Sequence, residues 1–185
     1  MKKLNIIVLL ILTFLISCNK NDTKIQTNID NLNFFQPAEL GAFGSKTRFI
    51  IYAYFDECGE WGGHEETFEI FSKEDKKFYA RYIRTKVDCQ KVGELYGTPE
   101  FQQPNIESEF KLTENNIIEI NNYLSKLLKS KISERFPGHA GQTFGAMKSD
   151  STLIINVYDS NKENLINYNN LLKSFNIEEV NYEYR

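Results

Sequence analysis

The chain has 185 residues, 25 of them acidic against 22 Lys and Arg, for a net charge of −3 at neutral pH. This length suits one domain with its own core, and an acidic balance without a dense basic patch argues against nucleic acid as a partner. Fourteen Phe, ten Tyr and one Trp supply the apolar area for a packed interior, which excludes a disordered chain, while abundant Asn, Lys and Ile are read as genome composition.

At the start of the chain, Lys2 and Lys3 precede an apolar run from Ile6 to Ile16, broken only by Thr13. A basic start, an apolar stretch of about ten residues and a small residue, Ser17, are the parts of a secretory signal. The run is too short to cross a bilayer as a mature helix. The tetrad Leu15-Ile16-Ser17-Cys18 resembles the lipobox of bacterial lipoproteins, a hydrophobic residue and two tolerant positions before an obligatory cysteine. That resemblance implies cleavage after Ser17 and lipidation of Cys18 by a thioether diacylglycerol, usually with an N-acyl chain, since stable anchoring takes more than one chain. It also implies an extracytoplasmic location on a bacterial membrane, the outer membrane foremost, facing the periplasm or the cell surface.

Residues 18–33 are polar and aperiodic and read as a flexible tether, with a root-mean-square reach of roughly 20 Å. The charged and Asn-rich residues just after Cys18 also resemble surface-export signals of some Bacteroidota lipoproteins. The predicted organisation is a signal peptide over 1–17, a tether over 18–33 and a single domain over 34–185.

From Thr47 the pattern is that of strands. Residues 48–55 are apolar at both parities, as in a strand that is central or covered on both faces. Residues 65–72 and 78–89 flank a polar loop, residues 73–77, of hairpin length. Pairing residues whose numbers sum to 150 sets Glu66 against Arg84, Phe68 against Tyr82, Glu69 against Arg81 and Phe71 against Tyr79. Opposite charges and aromatic pairs favour that register, and a one-residue slip loses several of them. Continued outward, it brings Cys89 opposite Trp61, close to Cys58.

If Cys18 carries lipid, Cys58 and Cys89 are an even pair, which in an oxidising compartment reads as a disulfide closing the open end of the hairpin; the alternative is two reduced thiols. Residues 91–105, with Pro99, Pro104 and Gly97, read as an exposed loop. Residues 106–112 alternate as a strand. Thr113 then caps a helix with Ile117, Ile120, Leu124, Leu127 and Leu128 on one face, stopped by Pro137-Gly138.

A second hairpin is expected over 143–148 and 152–158. Ser160 and Glu163 form a capping box for a helix with Leu165, Tyr168, Leu171, Leu172 and Phe175 inward, and residues 179–184 read as a last short strand. The fold class expected is α+β: a largely antiparallel sheet of about six strands with two helices on one face.

The densest polar constellation runs from Asp56 to Glu66. Asp56, Glu60, His64 and Glu66 are candidates for holding a divalent cation, since carboxylate oxygens suit Ca²⁺ and one imidazole adds affinity for Zn²⁺. Their spacing matches no known metal loop, and a solvated acidic turn explains them better. His139, just past a helix C-terminus, and His64 are the two histidines a His-acid general base would need, although nothing marks a nucleophile or an oxyanion cradle nearby. Trp61, Tyr96, Phe101 and Phe43 place aromatics on loops, either as a binding surface or folded back on the core.

The function expected is a lipid-anchored, non-catalytic binding or structural module of the bacterial envelope. It would have no cofactor, and its partner besides the membrane would be a protein or a glycan. One rival is an envelope hydrolase or metal-dependent enzyme using His64 or His139. The other is an inhibitor or immunity-type protein whose acidic surface masks a basic toxin or protease.

Overall fold

A computed structural model describes residues 33–134, 141–159 and 162–182. Residues 33–185 form one compact unit. Its strands are β1 (Phe49–Tyr54), β2 (Glu65–Ser72), β3 (Phe78–Lys86), β4 (Gln103–Lys111), β5 (Gln142–Lys148) and β6 (Ile154–Asp159). The helices are α1 (Val92–Leu95), α2 (Glu114–Ser133) and α3 (Glu163–Ser174). All neighbouring strands pair antiparallel in the order β4-β3-β2-β1-β5-β6, so the fold is α+β.

The β2–β3 register is the one that charge and aromatic pairing select: Glu66 faces Arg84, Phe68 faces Tyr82, Glu69 faces Arg81 and Phe71 faces Tyr79. Along β2 the side chains alternate with period two. Glu66, Phe68, Ile70 and Ser72 are buried on the helix side, and Glu65, Thr67, Glu69 and Phe71 are half-buried on the open side.

On the helix side Phe68 packs against Tyr82 and Phe175, both at 4.9 Å between ring centroids, and Tyr168 of α3 packs against Phe144 and Tyr123. The open side of β2, β3 and β4 is latticed instead by the ion pairs Arg48–Glu69, Arg81–Glu107 and Lys73–Glu109.

Strand β1 is central, which explains apolar residues at both parities. Phe49, Ile51 and Ala53 enter the core, while Tyr52 lies on the open face with its ring across Gly145 of β5. A Cβ at residue 145 would sit 2.1 Å from that ring. Strand β4 is an edge, where a proline is tolerated, and the register slips between Arg84 and Thr85 just where Thr85 faces Pro104.

Helix α2 starts at a capping box between Thr113 and Asn116. Pro137-Gly138, the expected stop, and His139 lie outside the described residues. Helix α3 starts at Glu163 behind Lys162, which is left-handed at φ 70°; the Ser160 of the expected capping box lies outside the described residues. One expectation is corrected at the C-terminal side. Residues 179–182 form no strand. Both backbone groups of Val180 are taken by the side-chain amide of Asn169 at 2.9 and 3.0 Å, so they have no ladder to join.

The strand directions give the sheet two distinct ends. The β2–β3 and β5–β6 turns share one, together with residues 34–48, where Phe35 stacks on Phe49 at 4.7 Å and Glu39 pairs with Lys148. The β1–β2 and β3–β4 connections share the other.

Candidate functional site

At that second end the β1–β2 loop turns back on itself through short 3-10 geometry at Gly59–Trp61. Gly63 permits the close return: a Cβ there would meet the Glu57 carboxylate at 1.8 Å and the Phe55 carbonyl at 2.7 Å. The Cys58–Cys89 disulfide ties this loop to the β3–β4 connection, with Cα atoms 5.2 Å apart. Gln102 adds a second tie, accepting from Thr85 and donating to the Gly63 carbonyl.

The tied loops bring together three of the aromatic residues singled out in the sequence. Trp61 meets Tyr96 edge to face at 5.2 Å, and Tyr96 meets Phe101 at 5.9 Å. Phe101 is buried, whereas Trp61 and Tyr96 are 47% and 56% exposed, so the cluster has one covered ring and presents the other two to solvent. Phe43 is elsewhere, against Phe78 near the β2–β3 turn.

At the same end lies a cleft of about 420 Å³ between β3 and a C-terminal strap, residues 175–182, lined by Glu57, His64, Arg84, Lys86, Glu178 and Asn181 among others. Its floor is an ionic chain. Glu66 is fully buried and accepts from Tyr82 (2.7 Å), Tyr168 (3.0 Å), Arg84 (2.7 Å) and His64 (3.3 Å). His64 also hydrogen-bonds Glu57 through Nδ1 and stacks flat on Phe55 at 4.3 Å.

Burial alone would lower the His64 pKa, but the two carboxylates outweigh it and raise it from 6.5 to about 9. Burial and the Glu66 carboxylate push the Tyr82 and Tyr168 hydroxyls well above their ordinary range, so both stay protonated as donors. Burial alone would raise the Glu57 pKa, but the hydrogen bond and charge of His64, with backbone N–H donors, together outweigh it and lower it.

At neutral pH His64 is therefore an imidazolium donating from both nitrogens, without the lone pair that a general base or a metal ligand needs. The four metal candidates are not gathered around one point. Asp56 is hydrogen-bonded by Tyr182, Glu60 is exposed on the loop, and Glu66 and His64 are spent on each other. Among the described residues no group of three or more His, Cys, Asp and Glu is arranged to hold a metal ion.

Of this chemistry the Glu66–Arg84 pair was legible as a cross-strand match. Tyr168, Glu57 and the strap residues were not, because the contact from Tyr168 to Glu66 spans 102 positions. No protein-family model, curated protein or solved structure matches the chain.

Proposed function

We propose that this protein is a lipid-anchored binding module of the bacterial envelope, held at Cys18 and engaging a partner with its disulfide-tied end. The lipobox-like tetrad Leu15-Ile16-Ser17-Cys18 supports the anchor. The observation that carries the binding role is the gathering of Trp61, Tyr96 and Phe101 on loops tied by the Cys58–Cys89 disulfide. Exposed Trp and Tyr rooted on a rigid support are the side chains that most often anchor a partner, since they offer large contact area at small entropic cost. In the cleft, His64, fixed as a cation between two carboxylates, serves to hold the loop in shape and is not itself free to act as a base.

Two measurements test the reading. Mass spectrometry of the detergent-extracted protein is expected to show a chain starting at Cys18 with added acyl mass, and Cys18→Ala is expected to leave unprocessed precursor. A photo-crosslinker placed at Tyr96 in the native envelope is expected to trap one partner in high yield, with the adduct lost when Trp61→Ala is added. Equal trapping from a crosslinker at Phe43 would show that the disulfide end is not the binding surface.

A further inference from the structure

The cleft between β3 and the strap holds chemistry that the aromatic rim does not use. Its fixed part is the chain Glu57–His64–Glu66–Arg84, whose charges hold one another. Other groups in it are idle. A guanidinium presents five N–H groups in a planar fork. On Arg84, whose side chain is 14% exposed, Nε is spent on Glu66 and Tyr82, and Nη2 donates to the Glu178 carbonyl at 2.8 Å. The remaining N–H groups, two on Nη1 and one on Nη2, have no protein partner among the described residues. Lys86, at the end of β3, and Glu178, on the strap, line the same cleft. Neither side chain has an ion-pair partner among the described residues, and they do not reach each other.

The balance of charge selects the ligand. Lys173 neutralises Glu179 at 2.7 Å, which leaves the cations His64, Arg84 and Lys86 facing the carboxylates Glu57, Glu66 and Glu178. The cleft is therefore neutral as a whole but has separate poles. A dianion such as phosphate would gain Arg84 and Lys86 yet meet Glu178 and the 35% exposed Glu57 side chain, and an amine without an acid would meet the converse repulsion. A carboxylate on the spare fork of Arg84 and on Lys86, with an ammonium toward Glu178, offends neither pole. Val87, Val180 and the sulfur bridge at Cys89 supply the apolar part of the lining, and about 420 Å³ is the size of a small-molecule site.

We propose that this cleft binds a small zwitterion, an α-amino acid or a dipeptide, whose carboxylate is taken by Arg84 and Lys86 and whose ammonium is taken by Glu178. Trp61 and Tyr96 do not line the cleft, so the assignment stands apart from the rim and from the anchor at Cys18.

Calorimetric titration of the intact protein in nonionic detergent tests it, with L-leucine and the dipeptide alanyl-leucine as probes. At least one is expected to bind, and the tighter of the two identifies the source as free amino acid or as peptide. On that probe, N-acetylation and C-amidation are each expected to weaken binding by about tenfold or more. Lys86→Met and Glu178→Gln alter exposed side chains without ion-pair partners and are expected to melt as the wild type does. Lys86→Met is expected to weaken the free-acid probe by about fivefold or more and to leave the amidated one unchanged. Glu178→Gln is expected to act in the same way on the free amine and to spare the acetylated form. No binding of either probe at about 10 mM, equal binding of capped and uncapped forms, or variants that weaken both forms alike, overturns the proposal.

Discussion

Glu66 shows how one residue can organise a site. A carboxylate removed from water is tolerated only when its lone pairs are filled, and here Arg84, His64, Tyr82 and Tyr168 fill them. Glu66→Leu leaves a buried guanidinium and two buried hydroxyls without their acceptor and is expected to cost about 3–5 kcal/mol in urea denaturation. Tyr168→Phe, which removes one donor of four and no charge, is expected to cost about 1 kcal/mol.

His64 contributes a pH dependence whose sign follows from its raised pKa. Its stabilisation is complete below the unfolded value of 6.5 and is lost as pH rises toward about 9, whereas Glu57, with a lowered pKa, loses its share as pH falls through the carboxylate range. The melting-temperature gap between wild type and His64→Asn should therefore be widest near pH 5–6 and narrow steadily by pH 9; a gap unchanged across that range would show that His64 is not charged in the fold.

At the scale of elements, the disulfide and the β1–β5 contact carry the most testable consequences. The bridge closes a loop of 31 residues, worth about 3–4 kcal/mol if its effect is on the unfolded chain. Cys58→Ala with Cys89→Ala is expected to lower stability by that amount and to widen exchange of the amides in residues 56–63 beyond those of β2, because the bridge is one of that loop's ties to the β3–β4 connection. Gly145→Val drives a side chain into the Tyr52 ring and is expected to destabilise by several kcal/mol, while Tyr52→Ala in the same chain recovers part of the loss, read as a double-mutant cycle.

Elements of this kind were largely legible in the sequence. Hairpin registers follow from residues a few positions apart whose charges and rings must match, and the β2–β3 pairing needed nothing more. The strap over residues 175–182 was not legible. Val180 and Tyr182 alternate as a strand would, and only a distant amide, Asn169, decides that their backbone bonds go to a side chain. The aromatic rim was half legible: Trp61, Tyr96 and Phe101 stand out as loop aromatics, but their contact depends on the bridge between Cys58 and Cys89.

For the whole molecule, the same device fastens both terminal segments of the described fold. Asn121 on α2 accepts from the Phe35 N–H at 2.8 Å and donates to the Phe35 C=O at 2.9 Å, and Asn169 on α3 treats Val180 in the same way. Each amide imitates one rung of a β-ladder, satisfying a backbone donor and acceptor that would otherwise be buried without partners. Phe35 and Leu40 thereby cover the core at the tether end, and Val180 and Tyr182 cover it toward the disulfide end. Asparagines that composition alone assigns to genome bias thus include two that hold the ends of the domain.

The two clamps share no partner, so their effects should add. Asn121→Ala and Asn169→Ala are each expected to cost about 1–3 kcal/mol, the penalty for stranding buried backbone groups. Asn169→Asp keeps the acceptor for the Val180 N–H but loses the donor to its C=O, and should fall between alanine and wild type. If the ends fasten one cooperative unit, the double variant will still unfold in a single transition by circular dichroism and by Trp61 fluorescence, shifted by the sum of the two losses. Separate transitions, or a double variant no weaker than either single one, would mean that the terminal segments are not part of the cooperative core.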